Sequence, residues 1–153
     1  MELNWEAIGA VGEILAASAV VLTLIYLAKE LTNTKSSSEV SASDRLIAGF
    51  DKINMLIITD SSVREVLLSE GELSAADKEQ LYAFANLFCN MWLSAQIAFD
   101  NGQIPNDLYL GAAKDVTMEL ERFPNLREAI ELWLERFPEV SDSAIFAPLR
   151  ANK

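Results

Sequence analysis

The segment AIGAVGEILAASAVVLTLIYLA, residues 7–28, is a long apolar run that contains a single charged side chain, Glu13. About 22 residues with a rise of 1.5 Å per residue give a helix of roughly 33 Å, enough to cross a bilayer core of about 30 Å. From residue 14 to residue 28 no helical face is polar, whereas a surface helix of a soluble protein has a polar face with a period near 3.6 residues. We therefore predict that this segment is a transmembrane helix that anchors the chain in a membrane.

Two alternatives share part of this pattern. A secretory signal peptide has a basic start, a shorter apolar core and a small-residue cleavage site, whereas this chain begins with Glu2 and Glu6 and its apolar run is long. A helix buried in the core of a soluble protein is the second alternative. The hydroxyl groups of Ser18 and Thr23 do not argue against lipid, because each can donate a hydrogen bond to the backbone of its own helix.

The residues that flank the run indicate its orientation. Trp5 precedes it and Tyr26 lies near its end, and such aromatic rings favour the membrane–water interface. No Lys or Arg precedes the run, whereas Lys29, Lys35 and Arg45 follow it. The positive-inside rule therefore predicts an N-terminus outside the cell and a cytoplasmic domain after the helix. Trp5, Tyr26 and Lys29 are the predicted membrane-interface residues.

One face of the run combines small side chains with its only acid. The predicted oligomerisation or pore residues on this face are Gly9, Gly12, Glu13, Ala16, Ala19 and Thr23. Small residues let helix backbones approach closely in a membrane. A charged side chain at the bilayer centre costs about 2.5–3.5 kcal/mol on insertion scales, so it usually faces a partner helix or a water-filled cavity. We expect the helix to self-associate; the alternative is that Glu13 reaches the outer headgroups or is protonated, with no further role.

The composition excludes several classes of function. A net charge of −11 argues against nucleic-acid binding, which needs a basic surface, and against lying flat on anionic lipid. The chain has no histidine and one cysteine, Cys89, which cannot form an internal disulfide. Zinc sites, di-iron sites with a Glu-x-x-His motif and Ser-His or Cys-His nucleophiles all need residues that are missing. We expect no enzyme activity, no catalytic residues, no metal and no cofactor.

The chain after the apolar run has helical periodicity. Residues 29–44 are rich in Ser and Thr but contain no Gly or Pro, so they form a linker or, as we favour, a continuation of the helix. Apolar residues then recur at intervals of four, three and four, which places them on one helical face: Leu46, Phe50, Ile53 and Ile57. After a break near Asp60, the pattern Ser62-x-x-Glu65 predicts a capping box for a short helix that ends at Leu68.

A second helical region begins at Ser74-x-x-Asp77, which is a helix start signal. The apolar residues between there and Asp100 cover more than one face, so we expect a central helix that packs on both sides. Asn101-Gly102 ends this helix in the prediction.

Three further segments complete the predicted helical domain. Pro105 precedes a helix over about residues 106–122, and a second helix over about residues 125–136 follows Pro124. The last segment is expected to pack through three apolar side chains: Ile145, Phe146 and Leu149.

Several polar residues of this domain deserve a functional interpretation beside a structural one. The acids Glu119, Glu121, Glu128, Glu131 and Glu135 could suggest a metal or acid–base site, and the last three share a helix face; we interpret the cluster as solvated rather than as a site. Cys89 is expected to be an inert small apolar residue. A ligand-binding cleft between the helices would use Tyr82, Asn86 and Asn90, three polar residues spaced one turn apart on the central helix.

The predicted fold is all-α, with one N-terminal transmembrane helix followed by a small cytoplasmic bundle of about five helices. The predicted division places the anchor in residues 1–31, a polar linker or helix extension in residues 32–43, and the helical domain in residues 44–153. About 120 residues outside the anchor are enough for one domain with a modest core.

Three motifs near the N-terminus carry a resemblance: NWEAIG at residues 4–9, GEI at residues 12–14 and YLA at residues 26–28. The chain resembles small uncharacterised bacterial single-pass membrane proteins, in which an NWEAIGxxGEI-type membrane helix precedes an all-helical domain. Gly9, Gly12 and Glu13 match the recurrent part of that pattern. The resemblance implies the bacterial inner (cytoplasmic) membrane and a role for Glu13, and it brings no activity.

Three functions fit these expectations. The first is a non-enzymatic module that self-associates through its membrane helix and presents a scaffold or interaction domain to an unidentified protein partner. The second is a homo-oligomeric ion channel or pore with Glu13 near its mouth, because a ring of carboxylates favours cations. The third is a small-ligand-binding helical domain. In all three, the expected partners are the lipid bilayer and other copies of the chain.

Overall fold

A computed structural model describes residues 5–150 of the 153-residue chain, and within this range every regular element is a helix. The all-α prediction is therefore confirmed. The α-helices are α1 (Trp5–Thr59), α2 (Ser61–Leu68), α3 (Ala75–Asp100), α4 (Asn106–Arg122), α5 (Pro124–Arg136) and α6 (Ala147–Arg150), with 3₁₀ turns at Pro138–Val140 and Ala144–Phe146. The chain forms two compact units, Met1–Ser38 and Glu39–Lys153, with their boundary inside α1. Residues 29–44 are helical throughout.

The first unit consists of the N-terminal part of α1. Every side chain from Gly12 to Ser37 is exposed. The hydroxyl of Ser18 donates to the carbonyl of Ile14 and that of Thr23 to the carbonyl of Ala19, both at 2.8 Å, as predicted. By length and composition α1 can cross a membrane, since it contains an 18-residue window with mean hydropathy 1.9 and no buried residue.

The second unit is a helical bundle built around α3. This helix contacts α2, α4, α5 and the 3₁₀ turn at Ala144–Phe146. Its buried side chains include Phe84, Phe88 and Trp92, which lie on successive turns. The predicted central helix is thus confirmed. The last three predicted core residues, Ile145, Phe146 and Leu149, are also buried.

The C-terminal part of α1 contributes one face to the same core. Leu46, Ile53 and Ile57 are buried and Phe50 is half-buried, as their spacing predicts. Gly49 lies on this side of the helix, where a Cβ atom would lie 3.9 Å from the Met91 side chain of α3.

Local signals at the ends of α3 agree with the structure. Ser74 and Asp77 form a reciprocal capping box, in which each side chain accepts from the other residue's backbone N–H. At the other end Gly102 has φ +63°, a conformation that glycine adopts without steric cost. The N–H of Gly102 bonds to the carbonyl of Phe99 and that of Gln103 to the carbonyl of Ala98, which is a Schellman motif.

The predicted capping box of α2 is wrong. Asp60, with extended backbone, is the N-cap, and its carboxylate accepts from the backbone N–H groups of Ser62 and Val63. Ser62 lies inside the helix, and its hydroxyl donates to the same carboxylate at 2.7 Å and accepts from the side-chain amide of Gln80 at 3.2 Å. A carboxylate one position before the helix takes the capping role because it accepts several hydrogen bonds at once.

The other end of α2 is completed by a distant residue. The side-chain amide of Asn125, in the first turn of α5, donates to the carbonyl of Ser69 at 2.7 Å and to that of Val66 at 3.3 Å. Carbonyl groups at the end of a helix have no N–H partner within the helix, and Asn125 supplies one. The helix bounds around Pro105 and Pro124 match the prediction, and Arg122 and Arg136 lie in the last turns of α4 and α5.

Candidate functional site

The predicted oligomerisation residues form one uncovered face of α1. With about 100° between consecutive residues, they fall within an arc of about 120°. The face comprises Gly9, Gly12, Glu13, Ala16, Ala19 and Thr23, all of them exposed. A Cβ atom at Gly9 or Gly12 would meet nothing within 4 Å, and the Thr23 hydroxyl is already bonded within the helix. The face is therefore smooth, in the sense that its side chains are small and project little from the helix, and the carboxylate of Glu13 lies at its edge.

The predicted membrane-interface residues lie at both ends of the same segment. Trp5 is the first residue of α1, and its side chain lies outside the described part of the structure. Tyr26 is 66% exposed, and Lys29 follows it by one turn, also exposed.

Two carboxyl groups lie one turn apart on α4, the half-buried Asp115 and the buried Glu119, and the prediction that Glu119 belongs to a solvated cluster is therefore wrong. The indole N–H of Trp92 on α3 donates to Asp115 Oδ2 on α4 at 2.8 Å. One turn further along α4, Glu119 is buried, with Oε1 3.6 Å from Arg122 Nη1. Its other oxygen, Oε2, is buried with no hydrogen-bond partner within residues 5–150. The sequence offers one sign that these acids are not fully solvated, which is that both lie beside the apolar face of α4.

Desolvation raises the pKa of both carboxyl groups. Desolvation raises the pKa of Asp115, and the Trp92 hydrogen bond opposes that shift. Desolvation also raises the pKa of Glu119; the charge of Asp115 adds to the rise and Arg122 opposes it. Carboxyl groups with a raised pKa serve as general acids in many enzymes. Here the described residues place no third Asp, Glu, Cys or His with them to hold a metal.

A second polar cluster has a structural role. The buried Gln96 on α3 accepts at Oε1 from the hydroxyl of Tyr109 at 2.8 Å and from the backbone N–H of Ile145 at 3.0 Å. Its amide nitrogen donates to Asp100 at 2.9 Å. Burial raises the pKa of Tyr109. Gln96 therefore joins α3, α4 and the C-terminal turns through bonds that use its amide at both ends.

The structure does not bring Tyr82, Asn86 and Asn90 into one cleft. Asn86 accepts from the amide of Asn90 at 3.1 Å and from the indole N–H of Trp133 at 2.8 Å, so it fixes α5 against α3. The guanidinium of Arg136 lies 4.5 Å from the centre of the Tyr82 ring. Asn90 borders a groove between α1 and α3, whereas Tyr82 borders a different depression beside α5.

The remaining candidates are where the sequence analysis places them. Cys89 is fully buried, and desolvation raises the pKa of its thiol to about 12, so it is the inert apolar residue that we expect. Glu128 and Glu135 are exposed and Glu131 is half-buried, in agreement with a solvated face.

We compared the chain with protein-family models, with curated proteins and with solved structures, and none of the three comparisons gave a match.

Proposed function

We propose that this protein is a membrane-anchored, non-enzymatic helical protein that self-associates through α1 and presents its bundle as a scaffold or interaction module. The observation that carries the proposal is the exposure of the apolar part of α1. Ten large apolar side chains between Ile14 and Leu31 are 55–73% exposed. Full burial of one such side chain is worth about 1.5–3 kcal/mol, so water is a poor solvent for this segment.

The distribution of these side chains favours lipid over a soluble partner. Leu15, Val20 and Val21 lie on three different sides of the helix. A protein partner on one side would leave the others in water, whereas lipid surrounds a helix completely. Lys and Arg follow the apolar run and do not precede it, so the positive-inside rule favours an external N-terminus and a cytoplasmic bundle. We propose the bacterial inner membrane as the location.

Self-association is supported by the smooth face of α1. Gly12 and Ala16 form a small-xxx-small pair on a helix with no covering partner in the described chain. Glu13 lies at the edge of that face, where a second helix would shield its carboxylate from lipid tails.

Membrane insertion is tested by alkaline carbonate washing of cell membranes, followed by the intact mass of the retained protein. We expect the full chain to remain in the membrane with its N-terminal segment uncleaved. Release by carbonate would contradict insertion, and a mass that lacks the apolar run would show that it is a signal peptide. Reporter fusions to the C-terminus test the cytoplasmic orientation of the bundle.

Self-association is tested with two matched cysteine variants, Ala16→Cys on the proposed contact face and Ala17→Cys about 100° away. Mild oxidation in membranes should crosslink the first variant and not the second, while wild type gives the background because Cys89 is buried. Ala16→Leu should weaken the oligomer in native mass spectrometry and Ala17→Leu should not. A monomeric wild type, or equal crosslinking at both positions, would refute this arrangement.

A second candidate function is a homo-oligomeric channel, which the placement of Glu13 on the contact face supports. Packing of several copies along that face would arrange their carboxylates in a ring. Planar-bilayer recordings separate the two functions. A cation conductance that falls in Glu13→Gln would favour the channel, and an oligomer without conductance would favour the scaffold.

A further inference from the structure

A groove of about 410 Å³ runs between the C-terminal part of α1 and the second half of α3. This volume lies within the range of about 300–1,000 Å³ that is typical of small-molecule sites. The buried side chains of Leu46 and Met91 line it. All of its lining residues belong to the second unit of the chain.

Small side chains keep the groove open. Ala42 and Gly49 on α1 face it seven residues apart, and Ala98 lines it from α3. A Cβ atom at Gly49 would lie 3.9 Å from Met91, which is an ordinary contact, so the backbone leaves room for a larger residue. We expect a larger side chain at Gly49 to project into the groove.

The charge at the rim of the groove is positive. Among the described residues, Arg45 is the only charged one that lines the groove; the other polar groups are the neutral side chains of Asn90, Ser94 and Gln103. The Arg45 Nε donates to the Ser41 carbonyl at 3.0 Å, and within residues 5–150 Arg45 forms no ion pair. Its terminal nitrogens are free to bind an anion in a chain whose net charge is −11.

We propose that this groove binds a small carboxylate with an apolar body. The apolar part would lie on Leu46 and Met91, and the carboxylate would pair with Arg45 through charge-assisted hydrogen bonds. The neutral amides and hydroxyl at the rim can donate to the same anion. The overall acidity of the chain opposes anion binding only weakly, because physiological salt screens charges that lie more than about 8 Å away. This site is independent of the function proposed for α1.

The test is a titration of the full-length protein in nanodiscs of phosphatidylcholine with 2-naphthylacetate, followed by ligand-detected NMR. The neutral primary amide of the same compound is the matched ligand, and empty nanodiscs give the partition background. We expect a saturable dissociation constant of about 1 mM or below for the carboxylate, as suits a ligand of this size. The amide should bind about three- to fivefold more weakly, which corresponds to one exposed ion pair.

Two pairs of variants locate the site. Gly49→Leu should abolish saturable binding, whereas Gly111→Leu, at an exposed helical glycine with equally open space, should leave it unchanged. Arg45→Gln should lower the affinity about three- to fivefold. Its control is Arg64→Gln, because Arg64 is another exposed arginine that donates to a carbonyl of α1.

Each contrary result overturns a defined part of the proposal. The absence of saturable carboxylate binding would refute the site, and equal affinity for the amide would refute the role of charge. Unchanged binding in Gly49→Leu would place the ligand elsewhere. If replacing part of the phosphatidylcholine by phosphatidylglycerol abolished binding, the groove would be a lipid-headgroup site and not a site for a free carboxylate.

Discussion

Glu119→Met is expected to stabilise the bundle, because it replaces a buried carboxyl group by an apolar side chain of similar shape. Among residues 5–150, one buried oxygen of Glu119 has no hydrogen-bond partner, and its other oxygen is paired only with Arg122 at 3.6 Å. Methionine fits the same linear space, and it is as good a helix former as glutamate.

The expected magnitude comes from two opposing contributions. A buried unsatisfied acceptor costs about 1–3 kcal/mol, and more when it is charged. The pair with Arg122 contributes about 0–1 kcal/mol, because the arginine side chain is 55% exposed. We expect Glu119→Met to raise the free energy of unfolding by about 1–2 kcal/mol at neutral pH. Glu119→Gln, which removes the charge and keeps polar atoms, should give a smaller gain.

The gain should depend on pH in a defined direction. Burial raises the pKa of Glu119 in the folded state above its value in the unfolded chain, which is about 4.3. Below that value the carboxyl is protonated in both states, and its charge has no effect on folding. As the pH rises towards and through the raised folded pKa, wild type loses stability relative to Glu119→Met. Asp115 shifts in the same direction, so part of this dependence remains in the variant.

The measurement is urea unfolding of the full chain in mild detergent between pH 4 and pH 8, followed by the fluorescence of the buried Trp92 and Trp133. With a denaturant slope of about 1–3 kcal/mol per molar, the midpoint should rise by about 0.3–2 M at neutral pH. Glu121→Met, at an exposed position of the same helix, is the control and should change little. A destabilised Glu119→Met, or a gain that is the same at pH 4 and pH 8, would refute the reasoning.

Three further predictions concern single positions. Gly102→Ala should destabilise the bundle by about 1 kcal/mol in the same unfolding assay, because alanine is strained at φ +63°; Gly111→Ala, inside α4 with open space, should be neutral or stabilising, and equal effects would contradict this. Cys89 should react with a maleimide only after unfolding, since its thiol is buried and has a pKa of about 12; rapid labelling of the native protein, measured by mass, would be inconsistent with the packing. The Ser62 hydrogen bond lowers the pKa of Asp60, so the ionised Asp60 cap should stabilise the fold above about pH 3.9, and this stabilisation should be lost as the pH falls through the folded pKa. Asp60→Asn should reduce the loss of stability at acidic pH, and an unchanged loss would count against the cap.

Local signals predicted most helix ends correctly. Pro105 and Pro124 restrict their own backbone, and Ser74 with Asp77 closes a hydrogen-bonded box within four residues. Such signals need no information from the rest of the fold. Even so, two neighbouring polar residues compete for one cap at α2, and the periodic pattern cannot decide between them; Asp60 is the N-cap there.

The polar contacts inside the bundle depend on residues far apart in the chain. Trp92 and Asp115 are 23 positions apart, and Asn86 and Trp133 are 47 positions apart. A sequence pattern places each residue on a helix face, but the angle at which two helices cross determines which faces meet. The carboxyl pair of α4 therefore could not be distinguished from a solvated acidic edge before the structure was known. That the small residues of α1 share one face, by contrast, follows from helical periodicity alone.

The short helix α2 is closed by two very different means. At its start the carboxylate of Asp60, the residue just before the helix, accepts hydrogen bonds from backbone N–H groups. At its end the side-chain amide of Asn125 donates to the carbonyl of Ser69, which is 56 positions away in the chain. An eight-residue helix is too short to persist alone in water. Because Asn125 completes its final turn, we expect the amide protons of that turn to become protected against solvent exchange when α5 packs against it.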